Sequence, residues 1–177
     1  MIINTKIIIL NLVGAFYPFA RNHNGIGWRD QHPPALGPDV VESARKSLLT
    51  RYRLLPTLYT LMFESYQSGS TTVRSLMAEF PGDRNARDNY DQFLWGRGFM
   101  IAPIMEEFAT ERGVYFPPDT WYDYYTNSEI TGGKVKLVKA DMNTIPLFVR
   151  AGTILVTQGK TVKVKNTSRK IYLQSRN

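Results

Sequence analysis

The stretch Gly14-Ala15-Phe16-Tyr17-Pro18-Phe19-Ala20-Arg21-Asn22-His23-Asn24 decides how the rest of the chain is read. Its first half is apolar and strand-like. Its second half is a run of Arg, Asn, His and Asn. That sequence of characters is expected where a strand of a (β/α)8 barrel delivers side chains to the mouth of a site. An imidazole there can hydrogen-bond a sugar hydroxyl, and neighbouring aromatics can lie against a pyranose. Read from the residues alone, the alternative is a histidine that satisfies loop carbonyls.

Downstream of this stretch the pattern is helical. Val40, Val41, Ala44, Leu48, Tyr52, Leu55, Tyr59, Met62, Phe63 and Tyr66 recur at steps of three and four, the period of an amphipathic helix. Asp39 with Glu42 three residues on reads as a capping box, and Gly69 reads as the stop. Pro56 lies inside, so a kink or two abutting helices is expected. Thr72 to Phe80 then reads as a strand, and Arg84 to Asp91 as a polar loop. From Phe93 onward short strand signals alternate with turns: Gly98–Ile104, Gly113–Phe116, Trp121–Tyr125, Lys134–Val138, Pro146–Arg150, Thr153–Thr157, Thr161–Lys165 and Lys170–Leu173. Pro117-Pro118-Asp119-Thr120 and Thr131-Gly132-Gly133 supply turn chemistry. Strands at this spacing predict an antiparallel sandwich, with the boundary between halves near Phe80–Tyr90.

Composition excludes several classes. The 177 residues are 43% apolar, enough to bury a core and to exclude wholesale disorder. There is no cysteine, and the histidines are His23 and His32 alone. A disulfide framework and a thiolate or histidine metal centre are therefore not expected. The net charge is +7, but ten basic residues fall between Lys134 and Arg176. Lys134/Lys136 and Lys163/Lys165 sit two apart on strand-like runs, which reads as a solvated sheet face or a lysine-protected edge rather than a nucleic-acid surface. Met1 to Val13 is interrupted by Asn4, Lys6 and Asn11. It is too short and too polar for a membrane span and makes a poor signal peptide. Its Ile7-Ile8-Ile9-Leu10 run reads as a buried strand or helix remnant.

No local motif marks a catalytic centre. Of the fifteen acids, Glu79 and Asp91 are the least easily assigned to caps, turns or a polar helix face, yet nothing pairs them as a tuned dyad. There is no Gly-x-Ser-x-Gly elbow. Gly25-Ile26-Gly27 and Gly96-Arg97-Gly98 lack a phosphate loop's Lys-Ser/Thr and the full dinucleotide fingerprint. Asn166-Thr167-Ser168 matches a glycosylation sequon, a pattern common by chance.

The segment from Phe16 to Asn24 resembles glycoside hydrolase family 31, the α-glucosidases of the maltase-glucoamylase, sucrase-isomaltase and lysosomal acid α-glucosidase type. The resemblance continues through Arg51-Tyr52-Arg53-Leu54-Leu55-Pro56-Thr57-Leu58-Tyr59-Thr60-Leu61, Glu79-Phe80-Pro81, Asp91-Gln92-Phe93-Leu94-Trp95-Gly96, Trp121-Tyr122-Asp123 and Pro146-Leu147-Phe148-Val149-Arg150-Ala151-Gly152. The blocks stand in the family's order and cover roughly Val13 to Gln158. Ser75 and Ala78 depart from it, standing where the family often has proline and histidine.

The resemblance implies an α+β chain: the incomplete C-terminal part of a (β/α)8 barrel, its last strand and helices, followed by an antiparallel β-sandwich. The divisions it implies are 1–12, an atypical extension; 13–85, the barrel fragment; 86–160, the proximal sandwich; and 161–177, a basic tail. Family members are retaining α-glucosidases, which need two carboxyl groups about 5–5.5 Å apart. The family's Trp-x-Asp-Met-Asn-Glu nucleophile motif and its Trp-x-Gly-Asp-Asn acid/base motif lie upstream of these blocks, and neither occurs in this sequence. A barrel takes about 250 residues, and about 80 precede the sandwich here.

The resemblance therefore implies no catalytic residue, no cofactor and no metal in this chain, and inactivity of the chain alone. It implies His23 as a substrate contact in the −1 subsite, with Arg21 a weaker candidate that organises the same site. Tyr17 and Phe19 are expected to pack, and Asp30 to be at most a supporting anchor. The expected partner is an α-linked glucoside or oligosaccharide, with no nucleic acid and no membrane contact. Relatives typically reside in the secretory pathway, the lysosome or outside the cell. The alternative is a non-catalytic sugar-binding module that uses surface aromatics such as Trp121 or Tyr122. On the barrel-fragment reading, Val40, Leu48, Tyr52, Leu55 and Tyr59 form a helix face in need of partners.

Overall fold

The computed structural model describes residues 12–140 and 143–159, and the backbone of 171–175. Four helices are labelled α1 (Pro33–Leu36), α2 (Pro38–Ser68), α3 (Leu76–Glu79) and α4 (Arg84–Arg87). The strands are β1 (Val73–Ser75), β2 (Phe93–Trp95), β3 (Phe99–Ile101), β4 (Glu111–Phe116), β5 (Thr120–Asp123), β6 (Glu129–Thr131), β7 (Lys134–Lys139), β8 (Leu147–Arg150), β9 (Ile154–Gln158) and β10 (Ile171–Ser175).

Helix α2 begins with Pro38, whose fixed φ suits the first helical position, after Gly37. The expected capping box does not form. Asp39 lies in the first turn, where a carboxylate suits the helix dipole, and Glu42 pairs instead with Arg45 at 2.6 Å. Gly69 ends the helix with φ 71° and donates its N–H to the Ser65 carbonyl at 2.8 Å, the left-handed stop that glycine adopts without a Cβ clash. Pro56 divides nothing, and α2 runs as one 31-residue element. Proline leaves the carbonyl four residues earlier without its donor. The amide Nε2 of Gln158 in β9 donates to that carbonyl, of Tyr52, at 2.5 Å.

Strands β1-β2-β3-β8-β5-β6 form one antiparallel sheet, and β4 pairs with β7 in a separate ribbon. Side chains alternate across a strand, and both faces of the large sheet are covered. Trp95, Phe99, Ile101, Leu147 and Val149 turn to one side and pack with Leu54 and Leu58 of α2 and with Phe16. Leu94, Met100, Trp121, Ile130 and Phe148 turn to the other and pack with Val114 and Phe116 of β4. This is why β3 and β8 read as unbroken apolar runs rather than alternating ones. Thr57 Oγ1 adds a hydrogen bond to the Val156 carbonyl at 2.7 Å, seating α2 on β9. The long helix thus lies on the sheet and shares a core with it. Val40 is fully covered and Leu55 packs against the core, while Leu48, Tyr52 and Tyr59 stay exposed.

Several sequence expectations change here. Thr72–Phe80 is strand only over Val73–Ser75. Ser75 then accepts from the Ala78 N–H and caps α3, as serine does at a helix start. Arg84–Arg87 is a helical turn capped by the Asp83 carboxylate. The alternation missed the three-residue β2 and β6. Lys134 and Lys136 stand exposed on β7, which among the described residues pairs only with β4, the lysine-protected edge expected for that run. Ile171–Ser175 pairs antiparallel with β9. The Thr161–Lys165 run, the Asn166 sequon and the Ile7–Leu10 run lie outside the described residues.

Candidate sugar-facing cleft

Residues 12–14 form a helical turn rather than the expected strand, and 15–24 continue as turn and loop. A strand end gives its carbonyls to a neighbouring strand, whereas here side chains take them. Arg51 of α2 donates from Nη1 to the carbonyls of Ala15 (2.7 Å) and Tyr17 (2.6 Å), and from Nη2 to that of Pro18 (2.9 Å). Burial pushes the Arg51 guanidinium below its ordinary pKa. The fork of five donors suits several carbonyls at once.

The loop then opens onto a cleft of ≈ 670 Å³, to which Tyr17, Phe19, Arg21, His23, Gln31 and Arg51 contribute walls. His23 and Arg21 meet there: Arg21 Nη2 lies 3.2 Å from His23 Nδ1. A guanidinium has donors only, so Nδ1 must act as the acceptor, and a neutral ring then carries its proton on Nε2. That leaves one imidazole N–H available to an oxygen ligand. Asn22 Nδ2 donates to the Gln31 carbonyl at 3.0 Å, and Asn24 Nδ2 to that of Arg29 at 2.5 Å, so both asparagines brace the loop, and Asn22 does so from the cleft wall. Tyr17 stacks on Phe93 with centroids 5.7 Å apart. Phe19 does not pack as expected: it lines the cleft at 80% exposure. Asp30 is exposed and is not part of the cleft wall.

The carboxylates singled out in sequence are structural. Glu79 pairs with Arg74 and Arg150, both at 3.1 Å. Asp91 pairs with Arg112 at 2.6 Å, and Asp119 with Arg150 at 2.6 Å. Sequence reading missed Arg74, Arg112 and Arg150 as their partners, because no local periodicity reports which arginine the fold brings to each carboxylate. Arg51 was missed for the same reason. Trp121 cannot serve as a surface glycan contact. Its side chain is buried in the core and its Nε1 donates to the Pro117 carbonyl at 3.0 Å. Among the described residues no three His, Cys, Asp or Glu side chains cluster as metal ligands, and no helix is long and apolar enough to cross a membrane.

Comparison with known proteins agrees with this anatomy. The model of the glycosyl hydrolases family 31 TIM-barrel domain matches residues 11–61, and that of the glycosyl hydrolase family 31 C-terminal domain matches 69–155. Alpha-glucosidase 2 of Bacillus thermoamyloliquefaciens is 42% identical over 143 residues, 81% of this chain and 18% of that protein. Probable maltase-glucoamylase 2 of Homo sapiens is 47% identical over 147 residues, 82% of this chain and 6% of that protein. A GH31 dextranase of Flavobacterium johnsoniae, solved with isomaltotriose, superposes with a TM-score of 0.88 at 28% identity, covering 94% of this chain and 21% of that one. The chain spans less than a fifth of the length of these two relatives. Matched in order by both domain models, the chain belongs to glycosyl hydrolase family 31.

Proposed function

We propose that these residues are part of a retaining α-glucosidase and supply one wall of its sugar pocket, with His23 as the sugar contact and Arg21 as the residue that orients it. Hydrolysis with retention needs a carboxylate nucleophile and a carboxylic acid on opposite sides of the glycosidic bond. The observation that carries the proposal is the makeup of the cleft: its wall holds Arg21, His23 and Arg51 but no Asp or Glu among the described residues. Such a wall can hold hydroxyls and cannot cleave an acetal. The relatives named α-glucosidase and maltase-glucoamylase, and the dextranase solved with isomaltotriose, support an α-linked glucoside or oligosaccharide as the ligand. On this reading the 13–85 segment serves as barrel and the 86–160 segment as the sandwich that buttresses it, and the 177 residues alone do not turn over.

The test is to incubate the purified chain with maltose and with an aryl α-glucoside while following the His23 ring by NMR. The expected result is movement of the His23 resonances with maltose and no release of glucose. Glucose release that disappears when one of the chain's own acids is replaced would overturn it.

A further inference from the structure

Four consecutive carbonyls at the entrance to the cleft loop are each held by a side chain. Arg51 takes those of Ala15, Tyr17 and Pro18. The fourth, of Phe16, accepts the indole N–H of Trp95 at 2.6 Å. Arg51 belongs to α2 and Trp95 to β2 of the large sheet, 44 residues apart in sequence. Trp95 is 1% exposed, and its ring sits against Phe16 and Phe99 with centroids 5.9 and 5.8 Å away. The indole therefore has one orientation and its N–H one target. An unmade hydrogen bond at such a buried group is costly, about 1–3 kcal/mol.

Beyond Pro18 the backbone has little of its own to fix it. Among the described residues, no backbone–backbone hydrogen bond is formed by residues 18–24 before the Gly25–Trp28 turn. The far side is tied by Asn22 and Asn24 to the Gln31 and Arg29 carbonyls, inside the same exposed loop. Among the described residues, the side-chain hydrogen bonds that tie this loop's entrance to the helix and the sheet are those on the Ala15–Pro18 carbonyls. His23 lies five residues past Pro18, so a change in the direction in which the chain leaves the clamp is carried directly to its ring.

We propose that Arg51 and Trp95 are positioning residues for the Arg21–His23 pair, so that the C-terminal sheet, through the indole N–H, helps set the geometry of the sugar-facing loop. This rests on the reading of His23 as a sugar contact. It adds a role for a residue of the second matched domain, Trp95, which is not itself part of the cleft wall.

The experiment uses the full 177-residue chain, its backbone amides and the His23 ring observed by NMR, and maltose as the probe. Trp95→Phe keeps an aromatic ring in the core and removes the donor. Arg51→Met removes the fork, and Arg51→Lys restores a single charged donor. Trp95→Phe and Arg51→Met are expected to displace the amides of residues 19–24 and the His23 ring, leave the Trp121 indole in place, and weaken maltose about fivefold, the equivalent of one net hydrogen bond. Arg51→Lys is expected to recover part of the shift. Wild-type positions for residues 19–24 and His23 in Trp95→Phe and Arg51→Lys, with only the unfolding midpoint lowered, would make the clamp purely structural and overturn the proposal, even if Arg51→Met fails to fold. A His23 ring that ignores maltose in the wild type, with the loop amides still displaced in the variants, would sink the sugar-contact reading and leave the positioning role standing.

Discussion

The side-chain amide of Gln158 donates to the backbone carbonyl of Tyr52 at 2.5 Å, across 106 positions of sequence. That carbonyl is the one Pro56 orphans inside α2. A strand thus supplies the donor that the helix cannot, and the long helix passes through its proline as a single element.

The replacement of one donor by the other should appear as coupling. Gln158→Ala is expected to cost about 1 kcal/mol, the net value of a typical hydrogen bond. In a Pro56→Ala background the helix regains its own N–H, and the same substitution should cost much less. A double-mutant cycle by urea unfolding measures the difference; equal costs in the two backgrounds would show that Gln158 contributes by packing alone.

Glu79 joins three elements. Its carboxylate is 10% exposed and binds Arg74 and Arg150, while Arg150 also binds Asp119 at 2.6 Å and lies 4.8 Å from the Phe80 ring centre. Removing the Glu79 charge leaves the largely buried Arg74 guanidinium without its anion, while Arg150 keeps Asp119 alone. Glu79→Gln is expected to lower stability by about 2–4 kcal/mol, toward the range seen on breaking a buried pair. Differential scanning calorimetry checks this, and a loss below 1 kcal/mol would place the network at the surface in energetic terms.

Adjacent glycines should respond for different reasons. A Cβ at Gly132 would run into the backbone carbonyls of Pro117 and Asp119, which cannot rotate away. Gly133 has open space around it but a φ of 80°. Gly132→Ala is expected to cost about 3 kcal/mol through overpacking, and Gly133→Ala about 1 kcal/mol through left-handed backbone strain. Thermal unfolding of the two variants tests the order; a reversal would mean that the 117–119 turn yields more easily than the backbone at Gly133.

Burial, and then its hydrogen bond to Asp83 at 2.5 Å, holds the Tyr115 hydroxyl above the ordinary phenol pKa. The folded state therefore keeps this proton more tightly than the unfolded chain does. Its contribution is complete below about pH 10, the unfolded value, and declines as pH rises from there through the folded value. Stability of the wild type should fall above pH 10 more steeply than that of Tyr115→Phe, measured by denaturant titration at pH 9 to 11. Parallel curves would exclude a tyrosine contribution.

The order of elements was legible in sequence because it rests on local periodicity. The helix stripe from Val40, the stop at Gly69, the Thr131-Gly132-Gly133 turn and the apolar runs of β3, β8 and β9 each follow from neighbours a few residues apart. So did the gathering of Arg21 and His23, two residues apart on one loop. Tertiary structure decided what joins distant positions: that α2 lies on the sheet, that Gln158 mends the proline gap, that Glu79, Asp91 and Asp119 are held by arginines, and that Arg51 and Trp95 take the carbonyls a strand would have shared. The reason is geometric. Periodicity reports which face of an element is apolar, but a hydrogen bond or ion pair depends on distances and directions that exist only once separate elements are packed together.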